Sequence, residues 1–272
     1  MSILKLYPSP QEEMPLAGFY LILNLHRQAA AGDMLIYANY ITSIDGRISI
    51  KNPESGEYEV PSAIANPRDW RLYQELAAQS DIMLTSARYF RQLARGQAQD
   101  LLPVGNEPAY ADLRNWRREQ GLKEQPDVAV LSNSLDIPLQ ALEKISDRNV
   151  LVFTHHHAAD SKVQALERFG AQIFVAGDSV VEGNQLKQQL TECGYRSAYM
   201  IAGPAVFRTL IRAGVMNRLF LSTRYQILGG ESFHTLMDGN LEQAEALHLL
   251  SLAVDLNAEY AQSFAQYAWD VS

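Results

Sequence analysis

The sequence predicts an α/β fold: a mostly parallel central sheet with helices on both faces and a C-terminal antiparallel hairpin. Three observations lead there. Short apolar runs that end in polar residues recur along the chain: "MLIYANYI", "DIMLTS", "DVAVLSNS", "NVLVFTHH", "AQIFVAGD" and "RSAYMIAG". Segments of helical period, roughly ten to fifteen residues long, separate several of them, which is the alternation of a parallel sheet covered on both sides. The tail breaks that alternation, because "ALHLLSLAVDL" and "EYAQSFAQYAW" are two strand-like runs joined by "NA", a pattern suited to a hairpin.

Taken in order, residues 1–34 read as an extension packed on a single domain of residues 35–272. Within the extension "LYPSPQEEMPL" is turn-rich, and "FYLILNLHRQAAAG" reads as a short helix closed by Gly32. The strand at 34–41 runs into the polar turn "TSIDGR". Residues 65–80 form a helix, with Asn66 as N-cap and Pro67 in the first turn. The strand at 81–86 ends in two hydroxyls. The following "RYFRQLAR" places Arg88, Arg91 and Arg95 near one helix face. Residues 108–122 make a helix stopped near Gly121, with Arg114, Arg117 and Arg118 on a wet face. "ADSKVQALERFG" and "NQLKQQLTECG" are helical, and "RLFLSTRYQI" is a further strand. Between the last two elements lies "MIAGPAVFRTLIRAG": a strand, then Gly203-Pro204, then apolar residues at helical spacing.

Composition narrows the function classes. Of 272 residues, 47% are apolar and 20% charged, the mix of an ordinary globular protein. A formal net charge of −8 gives no electrostatic reason to expect nucleic acid or an anionic membrane as partner. The single cysteine, Cys193, cannot form an internal disulfide, which points to a reducing cytoplasm. No run approaches the ~18 apolar residues of a membrane span, and the first residues lack a signal-peptide pattern. A cytoplasmic protein with a small-molecule partner is expected.

In an open α/β sheet, ligands gather beyond the carboxyl ends of the strands. Here those ends carry "TSIDG", "LTSAR", "LSNS", "FTHHH", "AGDS" and "IAGPA", all rich in small or hydroxyl residues. Gly203-Pro204 before a helix is either a plain turn or a cradle whose free N–H groups meet a phosphate. Asp45-Gly46 is either a structural turn or part of a site. The arginines after the third run are either a solvated face or phosphate ligands. No metal is expected: three consecutive imidazoles, His155 to His157, cannot all face one ion from regular structure. No P-loop, G-x-G-x-x-G or G-x-S-x-G is present.

Four segments stand in register with one family: "NYITSIDGRIS", "ELAAQSDIMLTSARYFR", "DVAVLSNSLDIP" and "MIAGPAVFRTLIRAGVMNRLFLSTRYQILGG". Over about residues 35–235 the chain resembles the reductase domain of bacterial riboflavin biosynthesis, a relative of dihydrofolate reductase. The resemblance implies a dihydrofolate reductase-like fold, NADPH as cofactor, a pyrimidine substrate and a homodimer. It implies that Asn39, Ser43, Gly46 and Ser62 face the substrate and that Asp45 is the nearest candidate for a catalytic acid. It assigns cofactor contacts to Thr85, Ser86, Arg91 and Ser132, and the phosphate cradle to Ala202, Gly203, Pro204 and Ala205. The chain also departs from the family. Ile201 stands where a glutamate precedes the glycine pair, Tyr89 replaces a threonine, and Ala77 replaces an arginine expected to hold substrate phosphate. Three readings follow: a riboflavin-type NADPH reductase that handles the phosphorylated precursor poorly, a pterin- or dihydrofolate-type reductase, and a non-catalytic nucleotide-binding protein.

Overall fold

In the computed structural model, which describes residues 1–98 and 104–269, one continuous sheet runs through the molecule. The chain begins with the antiparallel strands β1 (Ser2–Tyr7) and β2 (Glu12–Pro15), then reaches the central β3 (Leu35–Ser43). Two short strands follow, β4 (Ser49–Lys51) and β5 (Tyr58–Glu59). The α/β alternation then unfolds as α1 (Pro67–Ala78), β6 (Ile82–Ser86), α2 (Ala87–Ala94), α3 (Ala111–Glu119), β7 (Asp127–Leu131) and α4 (Leu139–Leu142). It continues through β8 (Val150–Thr154), α5 (Asp160–Phe169), β9 (Gln172–Val175), α6 (Gly183–Glu192), β10 (Ser197–Met200), α7 (Pro204–Arg212) and β11 (Arg218–Arg224). The last strands are β12 (Phe233–His234), β13 (Leu247–Asp255) and β14 (Gln262–Trp269).

The sheet order is β2-β1-β13-β14-β11-β3-β10-β6-β7-β8-β9. From β11 to β9 every neighbouring pair is parallel, and from β2 to β14 every pair is antiparallel. This is the predicted α/β architecture, with the C-terminal hairpin in place. Helices α6 and α7 cover one face through Leu186, Leu190, Phe207 and Leu210. Helices α1 and α3 cover the other face near β3, and α2, α4 and α5 cover it near β7 and β8. Because β10 inserts between β3 and β6, the strand order reverses there. The carboxyl ends at that point part to leave a crevice.

Three local expectations need correction. Residues 20–33 do not form a helix; they make two 3-10 turns, Leu21–Leu23 and Leu25–Arg27, broken by Asn24 in the left-handed region (φ 49°). Tertiary contacts take over the N–H groups: Glu75 accepts from Gly18 and Tyr20 (2.6 and 2.9 Å), and Gln79 accepts from Leu25 (2.9 Å). Arg117 is not on a wet face but fully buried. It donates to the carbonyls of Ala78 and Ser80 (2.8 Å each) and Lys123 (2.8 Å), so a cation caps the carbonyl end of α1. Finally, the hairpin connection spans residues 256–261, longer than the dipeptide the sequence suggested. Among the described residues no helix is long and apolar enough to cross a membrane.

Candidate active site

A cleft of about 890 Å³ opens where β3, β10 and β6 end. Its floor comes from Asn39 on β3, Thr85 and Ser86 at the end of β6, and Ile201 to Pro204 after β10. One wall is the first turns of α1, where Asn66 caps the helix by accepting from the N–H groups of Arg68 and Asp69 (3.1 and 3.0 Å). That cap fixes which way the next residues face: Asp69, Trp70 and Tyr73 line the cleft, and the two aromatic rings stack at 4.6 Å. The opposite rim is the small sheet β12-β4-β5, which contributes Ile48, Tyr58 and His234.

The structure divides the residues singled out in the sequence. Asn39, Thr85, Ser86, Ala202, Gly203 and Pro204 line one cavity. Ser43, Asp45, Gly46, Ser62, Arg91, Ser132 and Ala205 do not. Asp45 is occupied in its own turn. Its carboxylate accepts from Ser43 Oγ (2.5 Å), Arg47 Nη1 (2.6 Å) and the backbone N–H groups of Leu228 and Gly229 (3.2 and 2.9 Å). Those donors, the Ser43 hydroxyl foremost, hold the carboxyl down at about 2. Such a group carries no proton at neutral pH and suits a clamp between two loops. Gly46 completes that turn at φ +80°, a conformation that L side chains rarely adopt. Arg91 donates to the Asp136 carbonyl (3.1 Å), whereas Arg88 on the same helix lines the cleft. Ser132 Oγ accepts from the Leu135 N–H (3.0 Å).

Two departures change meaning. Ile201 and Tyr89 do line the cleft and make that part of it apolar. Ala77 does not. It is fully buried on the inner side of α1, packed in the cluster that holds Tyr37 and Tyr199. A side chain at position 77 points into the core, so its being alanine removes no ligand from this cleft. Arg68 and Arg71 are committed as well: Arg68 to Asp255 and the Ser2 carbonyl, Arg71 to Glu75 (2.8 Å) and Asp112 (2.5 Å).

Sequence reasoning missed Asp69. It is 8% exposed, its Oδ1 has no hydrogen-bond partner, and it lies in the cleft wall. Burial pushes its carboxyl up to about 6, against the lowering influence of the nearby Ser222 hydroxyl and the Arg224 guanidinium. Ser222 Oγ and Arg224 Nε and Nη1 are themselves buried without hydrogen-bond partners. A buried carboxylate, a hydroxyl and a guanidinium that face one another unsatisfied are costly unless something completes them. The sequence carried one faint signal: an acid in the first turn of a helix whose cap and register were already legible.

An NADPH cofactor fits the other half of the cleft. Gly203 has no heavy atom within 4 Å of where a Cβ would stand, and it precedes the first turn of α7, where backbone N–H groups lack intrahelical partners. Thr85 and Ser86 bring hydroxyls to the same floor, just before α2.

This is the architecture and crevice of an α/β reductase of the pyrimidine-reductase type. The chain belongs to the RibD C-terminal domain family, whose match covers residues 34–258. It is 22% identical over 170 residues, 62% of this chain and 76% of the relative, to the 2,5-diamino-6-ribosylamino-4(3H)-pyrimidinone 5′-phosphate reductase of Aquifex aeolicus. Among solved structures it is similar to a pyrimidine reductase-like protein from Corynebacterium diphtheriae, with a TM-score of 0.68, 20% identity, and 88% and 93% of the two chains covered. It is also similar to the riboflavin biosynthesis reductase of Saccharomyces cerevisiae, with a TM-score of 0.55, 14% identity and coverage of 92% and 99%. These structural likenesses show a shared fold. The named relatives are reductases, and at the level of the family the chain is an oxidoreductase.

Proposed function

We propose that the protein is an NADPH-dependent reductase acting on a pyrimidine- or pterin-type heterocycle. The observation that carries this reading is the joining of two features in one cleft: the open turn at Gly203 and the buried carboxyl of Asp69. Ala202, Gly203 and the start of α7 would hold the cofactor phosphates, with Thr85, Ser86 and the guanidinium of Arg88 beside them. NADPH, when bound, supplies the hydride. The chain supplies orientation. Trp70 and Tyr73 offer a stacked aromatic wall for a flat ring, Ile201 and Tyr89 keep water from the ring's apolar side, and Asp69 anchors a ring N–H. A carboxyl held at about 6 remains mostly ionised at pH 7, as that anchoring requires.

The apolar character of Ile201 and Tyr89 favours the pterin form of this reading over a strongly charged substrate. A non-catalytic role is disfavoured by Asp69, because an unsatisfied buried carboxylate is a stability cost that packing alone does not explain. The resemblance to the family supports a cytoplasmic homodimer, and the half-exposed Leu247, Leu249 and Leu250 of β13 offer an apolar face for it. Titrating NADPH against intrinsic tryptophan fluorescence, then following NADPH absorbance with pyrimidine and dihydropterin substrates, tests the proposal. Saturable binding with turnover of either heterocycle supports it; no binding of NADPH would overturn it.

A further inference from the structure

The hydrogen-bonding character of Asp69 goes one step further than the reading above, on which it rests, because it separates two substrate classes that differ in a single group. A 2-amino-4-oxopyrimidine ring presents two adjacent donors, the 2-amino group and N3–H. A 2,4-dioxopyrimidine ring, as in a uracil, presents an acceptor beside one donor. We infer that Asp69 selects the 2-amino-4-oxo edge, so that this protein acts on a heterocycle that still carries its 2-amino group, upstream of any reaction that hydrolyses that group to a carbonyl.

The observations point one way. Asp69 lines the cleft, is nine-tenths buried, and leaves Oδ1 without a hydrogen-bond partner. An ionised carboxylate is an acceptor only, so its two oxygens match two neighbouring N–H donors and nothing else. Against a dioxo ring, one carboxylate oxygen would face a carbonyl oxygen inside a water-poor wall. That pairing leaves two buried acceptors unsatisfied, the arrangement that discriminates most strongly between isosteric ligands. Arg224, on the neighbouring strand β11, stabilises the ionised form, and Ser222 lies on the same side. The other titratable groups near it, Tyr20 and Tyr199, are buried phenols with raised pKa values and stay neutral. The ring itself would stack in the wall formed by Trp70 and Tyr73.

The inference is tested with pterin and lumazine, two stable bicyclic rings that are alike except for 2-amino against 2-oxo. Calorimetric titration at pH 7.5 should show pterin binding at least about tenfold more tightly than lumazine. Asp69→Asn replaces two acceptors with one acceptor and one donor, which matches the dioxo edge, so the preference should reverse. In the unmodified protein, lowering the pH to 5 protonates Asp69 and should shrink the preference without any mutation. Equal or tighter binding of lumazine to the unmodified protein at pH 7.5, or a pterin preference that survives in Asp69→Asn, would overturn the inference. The source of the edge is settled by turnover: NADPH oxidation with 2,5-diamino-6-ribosylamino-4(3H)-pyrimidinone 5′-phosphate, its uracil counterpart and dihydropterin are compared. Faster turnover of the uracil form would overturn the inference while leaving the reductase reading intact. A pterin preference in a protein that binds no NADPH would do the opposite.

Discussion

Two aspartates, 24 positions apart in the sequence, show how differently the same side chain can be used. Asp45 sits in a recognisable S-x-D-G-R motif, and every donor around it is satisfied by it: a serine, an arginine and two backbone N–H groups. Its carboxyl falls to about 2. Asp69 belongs to no motif, is buried, leaves an oxygen unsatisfied, and rises to about 6. The lesson is that a satisfied carboxylate holds structure, whereas an unsatisfied buried one in a cleft is available to a ligand.

The largest expected effect separates them by rate. Asp69→Ala should lower kcat/KM by about a hundredfold or more, the scale on which a positioned acid–base or anchoring group acts. Asp45→Ala should leave kcat/KM within a few-fold. Steady-state NADPH oxidation on both variants decides this, and the comparison breaks if the two losses are similar.

Next comes the cofactor half of the cleft. Gly203 has φ −73° and open space around it, so Gly203→Val strains neither backbone nor neighbours. It should nonetheless weaken NADPH, since loss of one or two N–H contacts to an anion costs roughly 1.5–3 kcal/mol each. Circular dichroism checks the fold and fluorescence titration reads the affinity; unchanged affinity would remove this turn from the site.

A smaller contrast concerns two arginines of α2. Arg88→Ala should weaken NADPH about tenfold through loss of a charge-assisted contact. Arg91→Ala, whose guanidinium turns to Asp136, should change affinity less than about twofold, the scale of an exposed surface ion pair. The reverse order would move the cofactor phosphate outside the cleft lining.

The smallest effect is on stability against pH, and it has opposite signs at the two positions. Asp45 has a depressed pKa, so its stabilisation is present above about pH 4 and is lost as pH falls toward 2. Asp69 has a raised pKa, so ionising it costs stability. That cost is absent below about pH 4 and complete above about pH 6. A shift from 3.8 to about 6 corresponds to about 2–3 kcal/mol. Relative to Asp69→Asn, the unmodified protein should therefore lose that much stability between pH 4 and 7 in urea titrations. A flat difference across this range would show that Asp69 is not buried as an ionisable acid.

Much of this molecule was legible in its residues alone. The alternation of apolar runs and helical segments determined the parallel sheet, since period and length are local properties. Asn66-Pro67 and Gly203-Pro204 marked two helix starts, because capping is written in adjacent residues. The strand ends that converge on the cleft were visible for the same reason: Thr85, Ser86 and the Ala202–Pro204 turn follow directly from where each strand stops. What the sequence could not decide was direction and partnership. Whether Arg117 is wet or buried depends on α3 packing against the end of α1. Whether Ala77 faces ligand or core depends on the rotation of α1 over the sheet, and whether Asp45 is free depends on two N–H groups 183 and 184 residues away. Asp69 became a candidate only when β11 brought Ser222 and Arg224 beside it, because a pKa and an unsatisfied oxygen are properties of surroundings, and surroundings exist only after the chain has folded.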